Sequence, residues 1–329
     1  MSKNIHTQAK ILLRKHMQEL IELRRLSLCR LNGFKGFGFD DYMQQSLERF
    51  LSGSLSISAF EVFIHDSRLK AYLLVLPGGN GYQRLELDYD IESQLAEDWI
   101  KTTLSKILDS GNFVCRLNRS YQNLLEVFFH HHHGIKYLSL GGDVKMALSH
   151  LSNSVHSPAE DKVTEDVLSI SPLKDQDDIN AVIDLQCEVY SNHPEHCWYF
   201  NSDMDRVSIA KRLEIAVPYQ TYYKVSIGEK IEGFFGYHIT GQAFLFGAEA
   251  TITMCLREGL QGKGLARRFY KRIFENMLSS NTYQFQSQTA NAVVLSLAKK
   301  FERPMRYVHI FPSIDCPDSS RFSCYIGHD

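Results

Sequence analysis

Thr251-Ile252-Thr253-Met254-Cys255-Leu256-Arg257-Glu258-Gly259-Leu260-Gln261-Gly262-Lys263-Gly264-Leu265-Ala266-Arg267-Arg268 is the stretch from which the fold can be read. A β-branched run leads into a loop with three glycines, and the loop opens directly into a segment with Leu265, Phe269, Ile273 and Met277 at helical spacing. The first N–H groups of a helix have no partner inside it, and glycines let a backbone approach an anion closely. The helix dipole adds roughly half a positive charge at that end. Strand, glycine loop and helix start therefore make a cradle suited to a diphosphate without a metal.

Two other phosphate-binding patterns are excluded. A Rossmann fingerprint needs the glycines early in a βαβ unit with an acid about 20 residues later, whereas here antiparallel-type strands come first. A Walker loop needs Gly-Lys-Ser/Thr, and Lys263 is followed by Gly264.

The segment Gln261-Gly262-Lys263-Gly264-Leu265-Ala266 resembles the acyl-CoA motif Gln/Arg-x-x-Gly-x-Gly/Ala of the GNAT acetyltransferase superfamily. The resemblance implies acetyl-CoA as co-substrate, with no metal. It implies that backbone groups of Met254, Cys255 and Leu256 bind the pantetheine arm as an added strand would, and that amides from Gln261 to Ala266, through Gly262, Lys263, Gly264 and Leu265, hold the pyrophosphate. Lys263, Arg267 and Arg268 would help with charge; a solvated helix face serves the two arginines equally well. Asn291, before the run Ala292–Lys300, is similar to the family's pantetheine-contacting Asn, and reads equally as an ordinary helix-start residue. The family's thiol-protonating Tyr, seven residues on, is here Ala298, and its Gly-Phe helix ending is replaced by Phe301-Glu302-Arg303-Pro304.

Acyl transfer to an amine needs a proton acceptor, an aligned thioester and an N–H donor for the oxyanion. Glu249, on the strand entering the loop, is the first candidate base, or else a surface carboxylate. His238, in Tyr237-His238-Ile239, is the second, or else a hydrogen-bonded core residue. The Leu256 N–H is the candidate oxyanion donor. Cys255 and Cys197 offer a covalent route that nothing in the sequence activates. The segment Tyr190–Phe200, carrying His193, Glu195 and His196, would wall the acceptor site in a GNAT fold and reads equally as a packed loop. His193-x-x-His196 lacks both a helix period and a third metal ligand. The internal run His130–His133 reads as a cationic helix C-terminus.

Outward from this stretch the chain, of 329 residues, is long enough for two domains. The expectation is an α/β (α+β) fold: a mixed, mostly antiparallel central sheet flanked by helices, GNAT-like and duplicated. Residues 1–150 form a degenerate or accessory copy, 151–165 a small, polar linker, and 166–329 the acyl-CoA-binding domain. In the first half, helices over Thr7–Leu31 and Tyr42–Leu51 precede strands Ala59–His65, Lys70–Leu76 and Tyr82–Tyr89; then come helix Glu92–Leu108, strand Phe113–Leu117, helix Arg119–His131 and strand Ile135–Leu140. The second half repeats the order: strand Val167–Ile170, helices Asp177–Tyr190 and Asp203–Ala216, strands Thr221–Ile227, Ile231–Thr240 and Ala243–Leu256, helix Leu265–Leu278, strand Tyr283–Gln286, helix Thr289–Lys300, and strands Arg306–Phe311 and Phe322–Ile326. The first half has no glycine loop where the fold would need one, only Leu87-Asp88-Tyr89-Asp90-Ile91-Glu92, whose acids would repel a diphosphate.

Composition fits an enzyme of this kind. The net charge of -2 argues against nucleic acid, and no apolar run reaches the ~20 residues of a membrane span. The seven cysteines are scattered, odd in number and without a CxxC pair, as in reduced cytoplasmic proteins. The expected function is acetyl transfer to a primary amine, on a small molecule or peptide, by direct attack in a ternary complex, with a homodimer compatible. The alternatives are a non-catalytic acyl-CoA-binding protein and a transferase of longer acyl chains.

Overall fold

The structure is a computed structural model and describes residues 2–53, 57–78, 81–153, 168–193, 202–239, 247–312 and 319–326. In chain order the elements are α1 (Ser2–Cys29), α2 (Phe39–Leu51), β1 (Ala59–His65), β2 (Arg68–Pro77), β3 (Gln83–Tyr89), α3 (Gln94–Leu108), β4 (Phe113–Asn118), a 3-10 segment (Arg119–Leu124), α4 (Leu125–His130), β5 (His133–Asp143), α5 (Val144–Asn153), β6 (Leu168–Pro172), α6 (Gln176–Asn192), α7 (Ser202–Ala216), β7 (Tyr222–Ile227), β8 (Lys230–Ile239), β9 (Glu249–Leu256), α8 (Leu265–Ser279), β10 (Gln284–Thr289), α9 (Ala292–Lys300) and β11 (Met305–Pro312).

Two compact units result. One holds Met1–Ser139 and Met305–Asp329; the other holds Leu140–Ala243 and Gly247–Pro304. The division therefore differs from the expected 1–150 and 166–329. It falls inside β5, and the C-terminal strand belongs with the N-terminal unit. β11 pairs antiparallel with β4, from Tyr307 opposite Asn118 to Ile310 opposite Cys115. Nearly all of it is buried, so it completes that sheet. Of the expected linker, residues 151–153 close α5, and 154–165 lie outside the described residues. The expected strand Phe322–Ile326 is instead a 3-10 turn over Ser319–Phe322 with the Tyr325 and Ile326 N–H groups on the Phe322 carbonyl. Phe322 and Ile326 are buried all the same.

In the first unit the strand order is β1-β2-β3-β4-β11-β5. β1, β2 and β3 are antiparallel, and β3 then runs parallel to β4 over three pairs, Gln83–Phe113 to Leu85–Cys115. α1 and α2 bury Leu13, Leu20, Leu28, Phe39 and Leu47 against Phe60, Tyr72 and Leu74, and α3 lies on β2 and β3. Ser93 caps α3 by accepting from the Ala96 N–H at 3.3 Å.

In the second unit the order is β5-β10-β9-β8-β7-β6. The pattern recurs: β6 to β9 are antiparallel, and β9 runs parallel to β10 over three pairs. The mixed, mostly antiparallel sheet flanked by helices is the fold class the sequence predicts. Strand alternation gives each face its own core. Phe235, Tyr237, Ala250 and Ile252 pack with Phe269, Ile273 and Met277 of α8. Tyr222, Phe234 and Cys255 pack with Val182 and Ile183 of α6 and Leu213 of α7. The helix α5 is absent from the sequence reading. Val144, Ala147, Leu148 and Leu151 place it on the α8 side, and Asp143 accepts from the Met146 N–H at 2.9 Å at its start.

Candidate active site

The site is built where two paired strands part. β9 and β10 pair from Glu249–Gln284 to Thr251–Gln286 and no further. β9 continues to Leu256 with β8 on its other side. The Gln286 side chain marks the fork, donating to Thr251 Oγ1 at 3.0 Å. Past it, the Arg257 N–H bonds the Glu232 carbonyl of the β8 side at 3.0 Å. Antiparallel alternation then sends the backbone groups of Cys255 toward β8 and those of Met254 and Leu256 into the fork. Met254 and Leu256 thus stand where an added strand would pair. Cys255 does not, which corrects the expectation that all three would share that task. The Gln261 side chain already donates to the Leu256 carbonyl at 2.9 Å, leaving the Leu256 N–H as a donor directed into the opening.

The loop after β9 turns twice through the left-handed region, at Gly262 (φ 72°) and Gly264 (φ 75°), where a side chain would be strained. It is closed locally by the Leu260 N–H on Arg257 O and the Gln261 N–H on Glu258 O. Gly264 is the N-cap of α8 and supplies no side-chain cap, so the first amides of the helix carry the uncompensated positive end of its dipole. Leu265 is buried beneath them, while Lys263 and Ala266 are exposed. Phe269 holds the helix to the sheet by stacking on Phe235, with ring centres 4.2 Å apart. These residues fit a diphosphate followed by an extended amide-bearing arm, the two ends of a CoA thioester.

The basic residues divide. Arg267 donates to the Leu151 carbonyl in the last turn of α5. Arg268 lines a small cavity of about 190 Å³ with Leu168, Ile170 and Leu265. Asn291 caps α9, its Oδ1 accepting from the Val294 N–H at 3.1 Å, which is the helix-start role. Ala298 is buried, 2% exposed, and brings no hydroxyl. Arg303, in the segment that replaces the family's helix ending, donates to the carbonyls of Leu140 and Gly141 and to Ser287 Oγ.

Glu249 is buried, 2% exposed, at the start of β9, so it is not a surface carboxylate. It shares a strand face with Thr251, Thr253 and Cys255. His238 stands opposite Thr251, and its Nδ1 lies 3.2 Å from the Tyr222 hydroxyl, which is 3.4 Å from Thr253 Oγ1. Burial, and then the charge of Arg212 on α7, lowers the His238 pKa to about 4, so the ring is neutral at physiological pH. Burial pushes the Cys255 thiol up to about 12, which removes the thiolate a covalent route requires. Tyr190, at the end of α6, is also held protonated by burial, beside Cys255 and Tyr270. Of the expected acceptor wall, His193 ends α6 as its C-cap, and Pro194–Phe200, with Cys197, lies outside the described residues.

The first unit closes the equivalent fork. Past the pairing of Gln83–Leu85 with β4, the Asp90 N–H bonds the Lys70 carbonyl of the β2 side at 2.8 Å, so alternation turns the backbone groups of Tyr89 away from β2. There the Tyr121 hydroxyl accepts from the Tyr89 N–H at 3.4 Å and lies 3.3 Å from the Tyr89 carbonyl. Asp88 is fully buried, bonded by Arg24 at 3.0 Å and by the hydroxyls of Tyr72 and Tyr121. The reason the sequence suggested, free acids repelling a diphosphate, is therefore replaced: Asp88 is consumed internally, Asp90 pairs with Lys70 at 2.8 Å, and a tyrosine fills the gap. In the histidine run, His131 bridges Asp109 and Ser105 near the end of α3, and His130 bonds the Glu126 carbonyl in α4. Among the described residues no three His, Cys, Asp or Glu side chains gather as a metal site, and no helix is long and apolar enough to cross a membrane.

No family profile and no curated protein matches the sequence. Solved structures do. A GCN5-related N-acetyltransferase from Sphaerobacter thermophilus is 11% identical with a TM-score of 0.49, covering 87% of this chain and 93% of its own. A tandem GNAT protein from the clavulanic acid biosynthesis pathway is 12% identical with a TM-score of 0.48, covering 91% and 94%. A GNAT-family acetyltransferase from Colwellia psychrerythraea is 10% identical with a TM-score of 0.46, covering 77% and 84%.

Three participants were missed from sequence. α5 announces itself by Asp143 before an i, i+3, i+4, i+7 apolar set. Tyr121 and Arg212 carry no local signal, because their partners are 32 and 26 residues away.

Proposed function

We propose that this chain is an acetyl-CoA-dependent N-acetyltransferase that moves an acetyl group to a primary amine by direct attack in a ternary complex. The observation that carries the reading is the fork between β9 and β10 opening beside the uncapped N-terminus of α8. An extended thioester arm takes the strand edge at Met254 and Leu256, and its diphosphate takes the amides from Gly262 to Ala266. Acetyl-CoA supplies an activated carbonyl. The Leu256 N–H is the donor for the oxyanion that forms on it.

Glu249 is the base. Its buried carboxylate, on the face shared with His238 and Tyr222, draws an ammonium in and takes its proton, directly or through water. His238 is uncharged there, so it adds no repulsion against the arriving cation. Tyr190, protonated and next to Cys255, is the candidate donor to the departing thiolate in place of the missing hydroxyl at Ala298. Lysines and arginines other than Lys263 are not needed for the cradle.

The buried Ala298 favours a second reading, an acyl-CoA-binding protein without turnover. One experiment separates the two. Native mass spectrometry with acetyl-CoA measures binding, and thiol release with a panel of primary amines measures transfer. Binding with amine-dependent thiol release supports the enzyme; binding without release under any amine supports the second reading; no binding removes both.

A further inference from the structure

α6 and α7 carry several charges, and some of them are held in ion pairs. Asp178 takes Lys224 of β7, Asp184 takes Arg206 of α7 at 2.7 Å, and Glu188 takes Arg257 beyond β9. Arg212 is not among them. It is half-buried on α7, and its one hydrogen bond is from Nη2 to the neutral Oε1 of Gln186 at 3.3 Å. No carboxylate among the described residues pairs with it, and its Nε–H is buried without an acceptor. A half-buried guanidinium whose buried Nε–H has no acceptor carries a desolvation cost that an arriving anion would offset. Arginine's planar fork matches a carboxylate in particular.

Its position says what that anion belongs to. Arg212 acts electrostatically on His238, Tyr222 and Tyr190. These residues line the sheet face on which Glu249 begins β9, so an uncompensated cation and a buried carboxylate occupy one face of one unit. We infer that Arg212 binds a carboxylate of the acceptor, so that the acceptor is an amino acid or similar amine bearing both an ammonium and a carboxylate, the ammonium directed to Glu249. This rests on the N-acetyltransferase reading and specifies its acceptor.

The test compares acceptors that differ only in that charge: β-alanine against β-alaninamide, and a set of such acid and amide pairs. Thiol release gives kcat/KM for each. In the unaltered protein the acids lead their amides by about 30-fold or more, as for a desolvated charge pair. Arg212→Gln collapses that ratio toward one, mainly through KM, and Arg212→Lys retains part of it. A thermal-shift assay with N-acetyl-β-alanine and its amide reads the same contact without turnover: the acid stabilises the unaltered protein, and Arg212→Gln abolishes the difference. Circular dichroism checks that each variant is folded. Equal behaviour of acids and amides in both assays, or an acid preference that survives Arg212→Gln, overturns the inference. Loss of the proposed chemistry is distinguishable: protein that neither binds acetyl-CoA nor releases thiol, yet still shows the Arg212-dependent acid shift, keeps the carboxylate site and gives up the acetyltransferase.

Discussion

The Tyr121 side chain reaches the backbone of Tyr89 and stands where the second unit leaves β9 open. Its hydroxyl is 3.4 Å from the Tyr89 nitrogen and 3.3 Å from its carbonyl oxygen, and the two rings stack with centres 4.6 Å apart. The contact also places the hydroxyl 3.2 Å from Asp88, whose carboxylate is fully buried. Tyr121→Phe removes a hydroxyl from this network and keeps the ring, so it should destabilise the protein by about 1–3 kcal/mol. Urea denaturation measures this, and an unchanged midpoint would show that the hydroxyl is idle.

Gly236 is held by neighbours at the start of β7 and just before it. A Cβ there would lie 2.4 Å from the Thr221 carbonyl oxygen and 2.7 Å from Tyr222 Cα. Both are backbone atoms that cannot turn aside. Gly236→Ala should therefore cost about 1–3 kcal/mol or more through overpacking, and should disturb Tyr222 and with it His238. Thermal unfolding with and without acetyl-CoA is the check, and a wild-type melting temperature would contradict the close approach.

Stability should depend on His238 below neutrality. Its folded pKa, about 4, lies below the unfolded value near 6.5, so the unfolded chain binds the extra proton between those limits. Stability attributable to this residue is complete above about pH 6.5 and falls as the pH drops toward 4, by up to about 3 kcal/mol. His309 in the first unit, buried and held low beside Arg116 and Lys136, acts in the same direction. Denaturation midpoints of wild type and His238→Gln measured between pH 4 and 7 should diverge with this sign. A parallel pair of curves would mean that the ring titrates normally.

The Cys255 thiol should resist alkylation in the folded protein, because burial holds it protonated up to about pH 12. Intact mass after incubation with acetyl-CoA should show no acetylated enzyme, and iodoacetamide should reach Cys255 only on unfolding. An acetyl adduct mapped to Cys255 would replace direct attack with a covalent intermediate.

What the sequence made legible followed from local pattern. The run from Thr251 to Met277 already contained a strand, two glycines with positive φ and the buried face Leu265, Phe269, Ile273 and Met277, because each depends on neighbours within a few residues. The same locality explains the errors. Arg306–Phe311 reads as a strand and lies within β11, yet nothing in it says that it pairs with β4, nearly two hundred positions earlier in the chain. Arg267 and Arg268 look alike in sequence, and only the presence of α5 sends one of them to the Leu151 carbonyl. The parting of β9 from β10 is likewise a relation between strands, visible in the register rather than in either strand alone.

The most direct measurement is a calorimetric titration of acetyl-CoA into wild type and Gly264→Glu. A carboxylate at the α8 N-cap, on a residue with φ 75°, would set negative charge and bulk where the diphosphate docks. Affinity should fall by about 100-fold or more with the fold retained by circular dichroism. Equal affinity in the two proteins would contradict the account, since the amides at the start of that helix would then hold nothing.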